Sequence, residues 1–145
     1  FLLFNWSPAK IFMGDSGSTF LGSLFVCLLL TSTNYEDLVY LMTISSPIFL
    51  DAFTCVIRRF KYKQNIFGAH NSHLYQRLVK AGYSHGLVSS IYIFTTILLV
   101  ILTLYYNTIY VGFSTLLVAL FGLFLDFYCS EPFEKTIENS NKKFY

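Results

Sequence analysis

The chain has 145 residues, of which 54% are hydrophobic and only 12% are charged. A soluble domain of this size carries about twice that charged fraction, so the composition argues against a soluble globular protein. The formal net charge is +2, and the basic residues flank apolar runs, which does not suggest a nucleic-acid partner. The three cysteines lie in or beside apolar segments without a CxxC motif, so we expect no disulfide framework.

Four apolar runs have about the length of 20 residues that a helix needs to cross a bilayer. Three of them contain no charged residue, and the second contains one acid, Asp51. The runs are apolar on every side rather than alternating, which disfavours a barrel. We predict an all-α fold, a polytopic transmembrane helical bundle in contact with membrane lipid. The predicted spans are residues 16–35, 38–57, 88–106 and 108–125.

The basic residues predict the orientation of these spans. All 10 Lys and Arg residues lie outside the spans, and the two short connections of the opposite side contain none. Basic residues mark the cytoplasmic side of a membrane protein. We therefore expect the segment around Asp15, the loop 58–87 and the tail 130–145 to face the cytoplasm, with the tail loosely held.

A single acid, Asp15, lies between glycines where the first span begins. Asp15 or Ser16 could cap that helix by accepting hydrogen bonds from its free amides. The alternative is an ion or phosphate site, because one aspartate can hold Mg²⁺ that keeps waters and bridges substrate phosphates. The sequence leaves both interpretations open.

Asp51 is the one acid predicted inside a span. Such an acid is costly and is a functional hypothesis by default, and the alternative is a structural pair with a polar group of a neighbouring helix. Cys55 and Arg58 follow Asp51 by four and seven residues, so the three share a helical face. Asp126 lies near an interface, where we expect it to be solvated.

The loop after the second span carries His70, His73 and Arg77 at spacings of three and four residues. On a helix these residues form one polar face, which predicts a short amphipathic helix at the membrane surface. Arg77 could bind a diphosphate bidentately. The two histidines could instead help bind Zn²⁺, but the sequence shows no third clear ligand.

The run from Asn5 to Ser18 reads Asn-Trp-Ser-Pro-Ala-Lys-Ile-Phe-Met-Gly-Asp-Ser-Gly-Ser. It resembles the signature of the polyprenyl-phosphate N-acetylhexosamine-1-phosphate transferases, and the residues 51–59 and 69–78 are similar to the branch that initiates O-antigen glycans. The resemblance covers about residues 4–85. It implies transfer of a sugar-1-phosphate from a UDP-N-acetylhexosamine to undecaprenyl phosphate, with Mg²⁺ and release of UMP, at the cytoplasmic face of the bacterial inner membrane.

The resemblance also implies roles for particular residues. Asp15 falls on the aspartate linked to the metal, and His70 and His73 fall on a catalytic histidine loop that handles the diphosphate or the sugar of the donor. These three are the predicted catalytic residues. The predicted substrate-binding residues are Asn5, Lys10, Asp51, Arg58, Arg59 and Arg77.

The chain departs from the family pattern in three ways. Tyr75 and Gln76 stand where many members carry further histidines, the family's adjacent Asp-Asp pair does not occur, and the spans are fewer than usual. Because the chain starts at Phe1 with a run like the tail of an earlier span, we expect the C-terminal part of a longer enzyme whose missing N-terminal spans complete the site. Two other interpretations are a transporter half with Asp51 as a coupling acid and an inactive, truncated remnant.

Overall fold

A computed structural model of the chain describes residues 2–6, 8–66, 68 and 70–136. The predictions for Ser7, Ala69 and the tail beyond residue 136 lie outside the described residues. The described part is helical and contains no strand. Its helices are α1 (Leu2–Asn5), α2 (Gly14–Thr31), α3 (Tyr35–Lys61), α4 (Leu74–Lys80), α5 (His85–Tyr105) and α6 (Thr108–Phe124).

The four long helices confirm the predicted all-α transmembrane bundle. The helices α2, α3 and α5 are each long and apolar enough to cross a membrane, and so is the stretch Thr108–Cys129, which joins α6 to a π-helical turn (Leu125–Cys129). Each predicted span overlaps one of these helices. The first differs most at its end, because α2 ends at Thr31 and Tyr35 already begins α3, which continues to Lys61. Its last turn carries Arg58, Arg59 and Lys61, and basic side chains stabilise the negative end of a helix.

The core of the bundle lies between α3, α5 and α6. These three helices pack against one another, and Thr43 of α3 shares a hydrogen bond of 3.1 Å with Thr115 of α6. Such polar contacts join helices in an apolar environment. In contrast, α2 has no buried residue, and it meets the bundle where the rings of Phe25 and Phe49 lie 5.6 Å apart.

The residue at the N-cap of α2 is not one of those that the sequence suggests. The helix begins at Gly14, whose φ of +65° is in the left-handed region that favours glycine. The N-cap position is Met13, and no side chain caps the helix, so the cap by Asp15 or Ser16, one of the two interpretations that the sequence leaves open, is wrong. The physical reason is that the helix begins one residue earlier, at Gly14. Asp15 and Ser16 therefore lie inside the first turn, where their side chains cannot act as the N-cap.

The segment after the bundle folds back instead of hanging loosely. Glu131 donates its backbone N–H to the carbonyl oxygen of Arg77 over 3.2 Å, and Phe133 is only 5% exposed. The ring of Phe133 lies 5.5 Å from that of Tyr62 at the end of α3. The expectation of a loose tail is therefore wrong for residues 130–136, because burial of an apolar ring fixes this segment to the helix ends.

Candidate functional site

One end of the bundle gathers most of the predicted site residues. The C-terminal ends of α3 and α6 meet the short helix α4 and the first turns of α5 there. Asp51 of α3 accepts hydrogen bonds from Leu74 at the start of α4 and from Tyr92 of α5. At the same end, Asp126 accepts hydrogen bonds from Arg58 and Arg77. Two separate polar clusters result.

The first is the histidine cluster, formed by Asp51, Cys55, His70, His73 and Tyr92. Asp51 is 7% exposed, and its two oxygens accept from the Leu74 amide at 2.7 Å and from the Tyr92 hydroxyl at 3.0 Å. Nδ1 of His73 lies 3.6 Å from Oδ1 of Asp51. The carboxylate therefore fixes the start of α4 and lies beside His73, which matches the structural alternative for Asp51. Its predicted contact with substrate stays a prediction.

Cys55 lies beside the two histidines in this cluster. Its Sγ is 3.4 Å from the hydroxyl oxygen of Ser72, which is 3.1 Å from Nδ1 of His70. The rings of His70 and His73 are 5.0 Å apart, and His73 stacks on Tyr75 at 5.5 Å. Cys55 is 3% exposed, whereas both histidines are half-buried. The imidazoles thus form the accessible side of the cluster.

Electrostatics favours a neutral imidazole at His70. Burial lowers the pKa of His70 below its ordinary value, and the neighbouring Arg59 and His73 act in the same direction. Burial also raises the pKa of the Tyr75 hydroxyl, and Asp51 and Cys55 add to that shift. Near neutral pH, His70 therefore has one protonated and one unprotonated ring nitrogen, and its Nδ1 faces the Ser72 hydroxyl at 3.1 Å.

The second is the arginine cluster, formed by Asp126, Arg58 and Arg77. Asp126 pairs with both guanidinium groups, and Arg77 also donates to the Glu131 carbonyl at 2.8 Å and to the Ser130 hydroxyl at 2.8 Å. Only 9% of the Asp126 side chain is exposed, so the expectation of a solvated Asp126 is wrong. The two arginines supply the charge that makes its burial possible. Their predicted binding of phosphate stays a prediction.

The predicted helical face of His70, His73 and Arg77 is also wrong. The helix begins only at Leu74, with His73 at its N-cap position. The reason lies in tertiary contacts, since the Asp51 carboxylate accepts from the first amide of the helix. The side chain of Gln76 accepts from the His73 amide at 3.1 Å, which closes the start of the helix.

The remaining predicted cations and Asn5 lie in different surroundings. Arg59 is 7% exposed and donates to the carbonyl oxygen of Asn65, so it ties the loop to α3. The side chain of Asn5 donates to the carbonyl oxygen of Ile11 at 2.9 Å, which closes the N-terminal loop on itself. Lys10 is exposed. The structure therefore assigns Arg59 and Asn5 local structural contacts.

Asp15 has the surroundings expected of a group that meets a ligand. It is exposed in the first turn of α2, and within the described residues no hydrogen bond or ion pair engages its carboxylate. The positive end of the helix favours a negative charge there. Mg²⁺ commonly takes one or two carboxylates together with waters and phosphate oxygens. An uncommitted, exposed carboxylate fits that donor set, whereas the sulfur and nitrogen atoms of the histidine cluster do not.

Three participants at this end of the bundle are not indicated by the sequence pattern. Spacing groups Cys55 with Asp51 but does not link it to the histidines, and Tyr92 lies within an uncharged run. Asp126, at the end of a span, is expected to be solvated. For Cys55 and Asp126 the signal in the sequence was a polar or ionisable group at the edge of a predicted span, but their partners lie on other elements.

The family model and the relatives that match this chain are all described as transferases. The family model described as glycosyl transferase family 4 matches residues 1–33, which contain Asn5, Lys10 and Asp15. A probable undecaprenyl-phosphate N-acetylglucosaminyl 1-phosphate transferase of Bacillus subtilis (strain 168) is 41% identical over 90 residues. That match covers 59% of this chain and 25% of the relative.

Two mycobacterial relatives match a similar share of the chain. The decaprenyl-phosphate N-acetylglucosaminephosphotransferases of Mycobacterium leprae (strain TN) and Mycobacterium tuberculosis (strain ATCC 25618 / H37Rv) are each 31% identical over 100 residues. Each match covers 59% of this chain and 25% of the relative. The chain thus spans about a quarter of the length of the curated relatives it matches, and no solved structure matches it significantly.

Proposed function

We propose that the chain, whose residues 1–33 match the model of glycosyl transferase family 4, forms part of an enzyme that transfers N-acetylhexosamine-1-phosphate to a polyprenyl phosphate. The donor is a UDP-N-acetylhexosamine, the acceptor is undecaprenyl phosphate, and the second product is UMP. The reaction takes place at the cytoplasmic face of the bacterial inner membrane and initiates a lipid-linked cell-envelope glycan of the O-antigen type. The observation that carries the proposal is the uncommitted carboxylate of Asp15 inside the matched residues 1–33.

The proposed chemistry is a phosphoryl transfer between two phosphates. An oxygen of the acceptor phosphate forms a bond to the phosphorus that carries the sugar, and the anhydride bond between that phosphorus and UMP breaks. The electron pair of the broken bond leaves on the phosphate of UMP. Such reactions depend on positioning and on stabilising the charge of the phosphoryl oxygens. Mg²⁺, when bound, supplies positive charge at these oxygens, and Asp15 is the residue proposed to hold it.

The histidine cluster is proposed to position the donor. His70 and His73 can each direct an N–H toward a phosphate or sugar oxygen, and Asp51 keeps the ring of His73 in place. If the donor is already fixed before negative charge develops on its phosphoryl oxygens, the surrounding groups need to reorganise less during the reaction. The lowered pKa of His70 makes it a neutral hydrogen-bond donor near neutral pH.

The test is the release of UMP from a UDP-N-acetylhexosamine in membranes that contain the product of the whole gene. We expect Asp15→Asn to reduce the rate about 100-fold or more, because the carboxylate is the proposed metal ligand. The matched control is Asp37→Asn, since Asp37 is also an exposed acid in the first turn of a long helix. Equal rates for the two variants, at equal amounts in the membrane, would contradict the role of Asp15.

A further inference from the structure

The histidine cluster contains the atoms of a second kind of metal site. Cys55 of α3 and the histidines 70 and 73 each offer one ligand atom, and these three atoms lie within 4.8 Å of one another. A thiolate and two imidazoles select ions of the Zn²⁺ class and not Mg²⁺. We propose that Cys55, His70 and His73 bind a thiophilic transition-metal ion, at a site separate from the Mg²⁺ proposed at Asp15. An ion on these ring nitrogens would replace the direct N–H contacts of the two histidines with the donor.

The third ligand comes from a helix that the histidine motif does not include. Two histidines three residues apart are a weak indication of a metal site. Cys55 lies 15 residues before His70 in the sequence, and the fold brings its sulfur to the two rings. Three protein ligands with a fourth position for water is the arrangement of open zinc sites.

The groups around the three ligands resemble those that orient the ligands of known metal sites. A metal-binding histidine usually gives its other ring N–H to a carboxylate, a backbone carbonyl or water. Oδ1 of Asp51 lies 3.6 Å from Nδ1 of His73, just beyond hydrogen-bond distance. The carboxylate of Asp51 is itself held by the Leu74 amide and the Tyr92 hydroxyl. It would fix the ring of His73 and compensate part of the charge of the ion.

The geometry requires a small closure. Bonds of about 2.0–2.3 Å to a tetrahedral ion place its ligand atoms roughly 3.5 Å apart, so the three atoms must approach by about 1 Å. His70 precedes α4 and His73 is its N-cap residue, so the closure requires rotation of the two side chains and leaves the backbone hydrogen bonds of α4 in place. The Ser72 hydroxyl, 3.4 Å from Sγ and 3.1 Å from His70 Nδ1, already joins two of the ligands.

Binding exchanges a proton for the ion at Cys55. The thiol S–H bond breaks, the sulfur forms a bond to the ion, and one proton goes to solvent. No oxidant or reductant is needed. Cys55 is 3% exposed, whereas Cys27 is exposed on α2 and Cys129 is half-buried at the end of the π-helical turn. The other two thiols therefore serve as internal controls.

The experiment is a titration of the purified, metal-free full-length protein in detergent with Co²⁺, which reports thiolate coordination by a near-ultraviolet absorption band. We expect a saturable band at about one ion per chain, displaced by Zn²⁺ and not by Mg²⁺. Cys55→Ser should abolish the band, and Cys27→Ser and Cys129→Ser should retain it. A band that is absent from the parent protein, or that survives in Cys55→Ser, would overturn the proposal.

A second pair of variants keeps the thiol and guards against misfolding. His70→Gln should weaken Co²⁺ binding about 100-fold, as loss of a supporting group alone costs 10–100-fold. The matched control His85→Gln changes an exposed histidine at the start of α5 and should bind as the parent does. Circular dichroism shows whether each variant is folded. Equal affinity in folded His70→Gln and His85→Gln would exclude His70 as a ligand. None of these measurements needs transferase activity.

Discussion

The histidine cluster and the arginine cluster lie at the same end of the bundle, and each has a buried aspartate at its centre. In the arginine cluster, Asp126 is shared by two guanidinium groups, and Arg77 also donates to two oxygens of the returning segment. In the histidine cluster, Asp51 accepts two neutral hydrogen bonds, and the half-buried imidazoles next to it keep ring nitrogens for other partners.

The difference separates a structural role from a ligand-binding one. A buried charge that is fully paired joins the elements that pair it, and the arginine cluster thereby ties α3, α4 and the end of α6 together. A buried carboxylate that orients accessible imidazoles instead prepares them to meet a ligand. We therefore expect substitutions in the arginine cluster to act mainly on stability and those in the histidine cluster mainly on activity and metal binding.

The largest effect on stability is expected from Asp126→Ala. This change leaves Arg77, which is 3% exposed, and the partly buried Arg58 without their counterion, which costs about 3–5 kcal/mol. The free energy of unfolding in detergent measures it. Asp37→Ala, the removal of an exposed acid, is the control. A loss in Asp126→Ala no greater than in the control would mean that the arginine cluster does not hold the helices together.

Compared with Asp126→Ala, we expect Asp51→Asn to cause a smaller loss of stability and a larger loss of activity. The amide keeps the size of the side chain but removes the charge that the Leu74 amide, Tyr92 and His73 face, at a cost of about 1–3 kcal/mol. Release of UMP per mole of folded protein should fall at least about ten-fold, because His73 loses its orienting partner. An unchanged rate in folded protein would leave Asp51 with a structural role alone.

The smallest effect is expected from Tyr92→Phe. The ring stays and one hydrogen bond to Asp51 is lost, which costs about 0.6 kcal/mol between helices of a membrane protein. Both the free energy of unfolding and the release of UMP should change less than in Asp51→Asn, since the other contacts of the carboxylate remain. If Tyr92→Phe equals Asp51→Asn in activity, the hydroxyl itself takes part in the function of the histidine cluster.

Much of the fold follows from local properties of the chain. Long uncharged runs such as 88–106 have one low-energy state in a bilayer, because a helix satisfies every backbone polar group within the segment. The four helices and the segment around Asp15 could therefore be predicted. Asp15 also lies within residues 1–33, which match the model of glycosyl transferase family 4 from sequence alone.

The partners of the polar residues could not be predicted in the same way. The sequence placed His70, His73 and Arg77 on one helix, but the Asp51 carboxylate on α3 accepts from the Leu74 amide and the helix begins there. Likewise, the residues near Asp126 in the sequence do not indicate that its partner is Arg77, which lies 49 residues earlier. Helix capping and ion pairing at these positions depend on elements far apart in the chain.

Hydrophobic run length and basic flanks, which are properties of neighbouring residues, decide that the chain is a bundle of membrane-length helices with Asp15 at the start of one of them. The packing of α3 against α5 and α6, with the hydrogen bond from the start of α4 to Asp51, decides which acid is paired, which imidazoles stay accessible, and that Cys55 joins the two histidines. The physical reason is that the pairing and reactivity of a buried charge or thiol depend on the groups that replace water around it. The tertiary fold determines which groups those are.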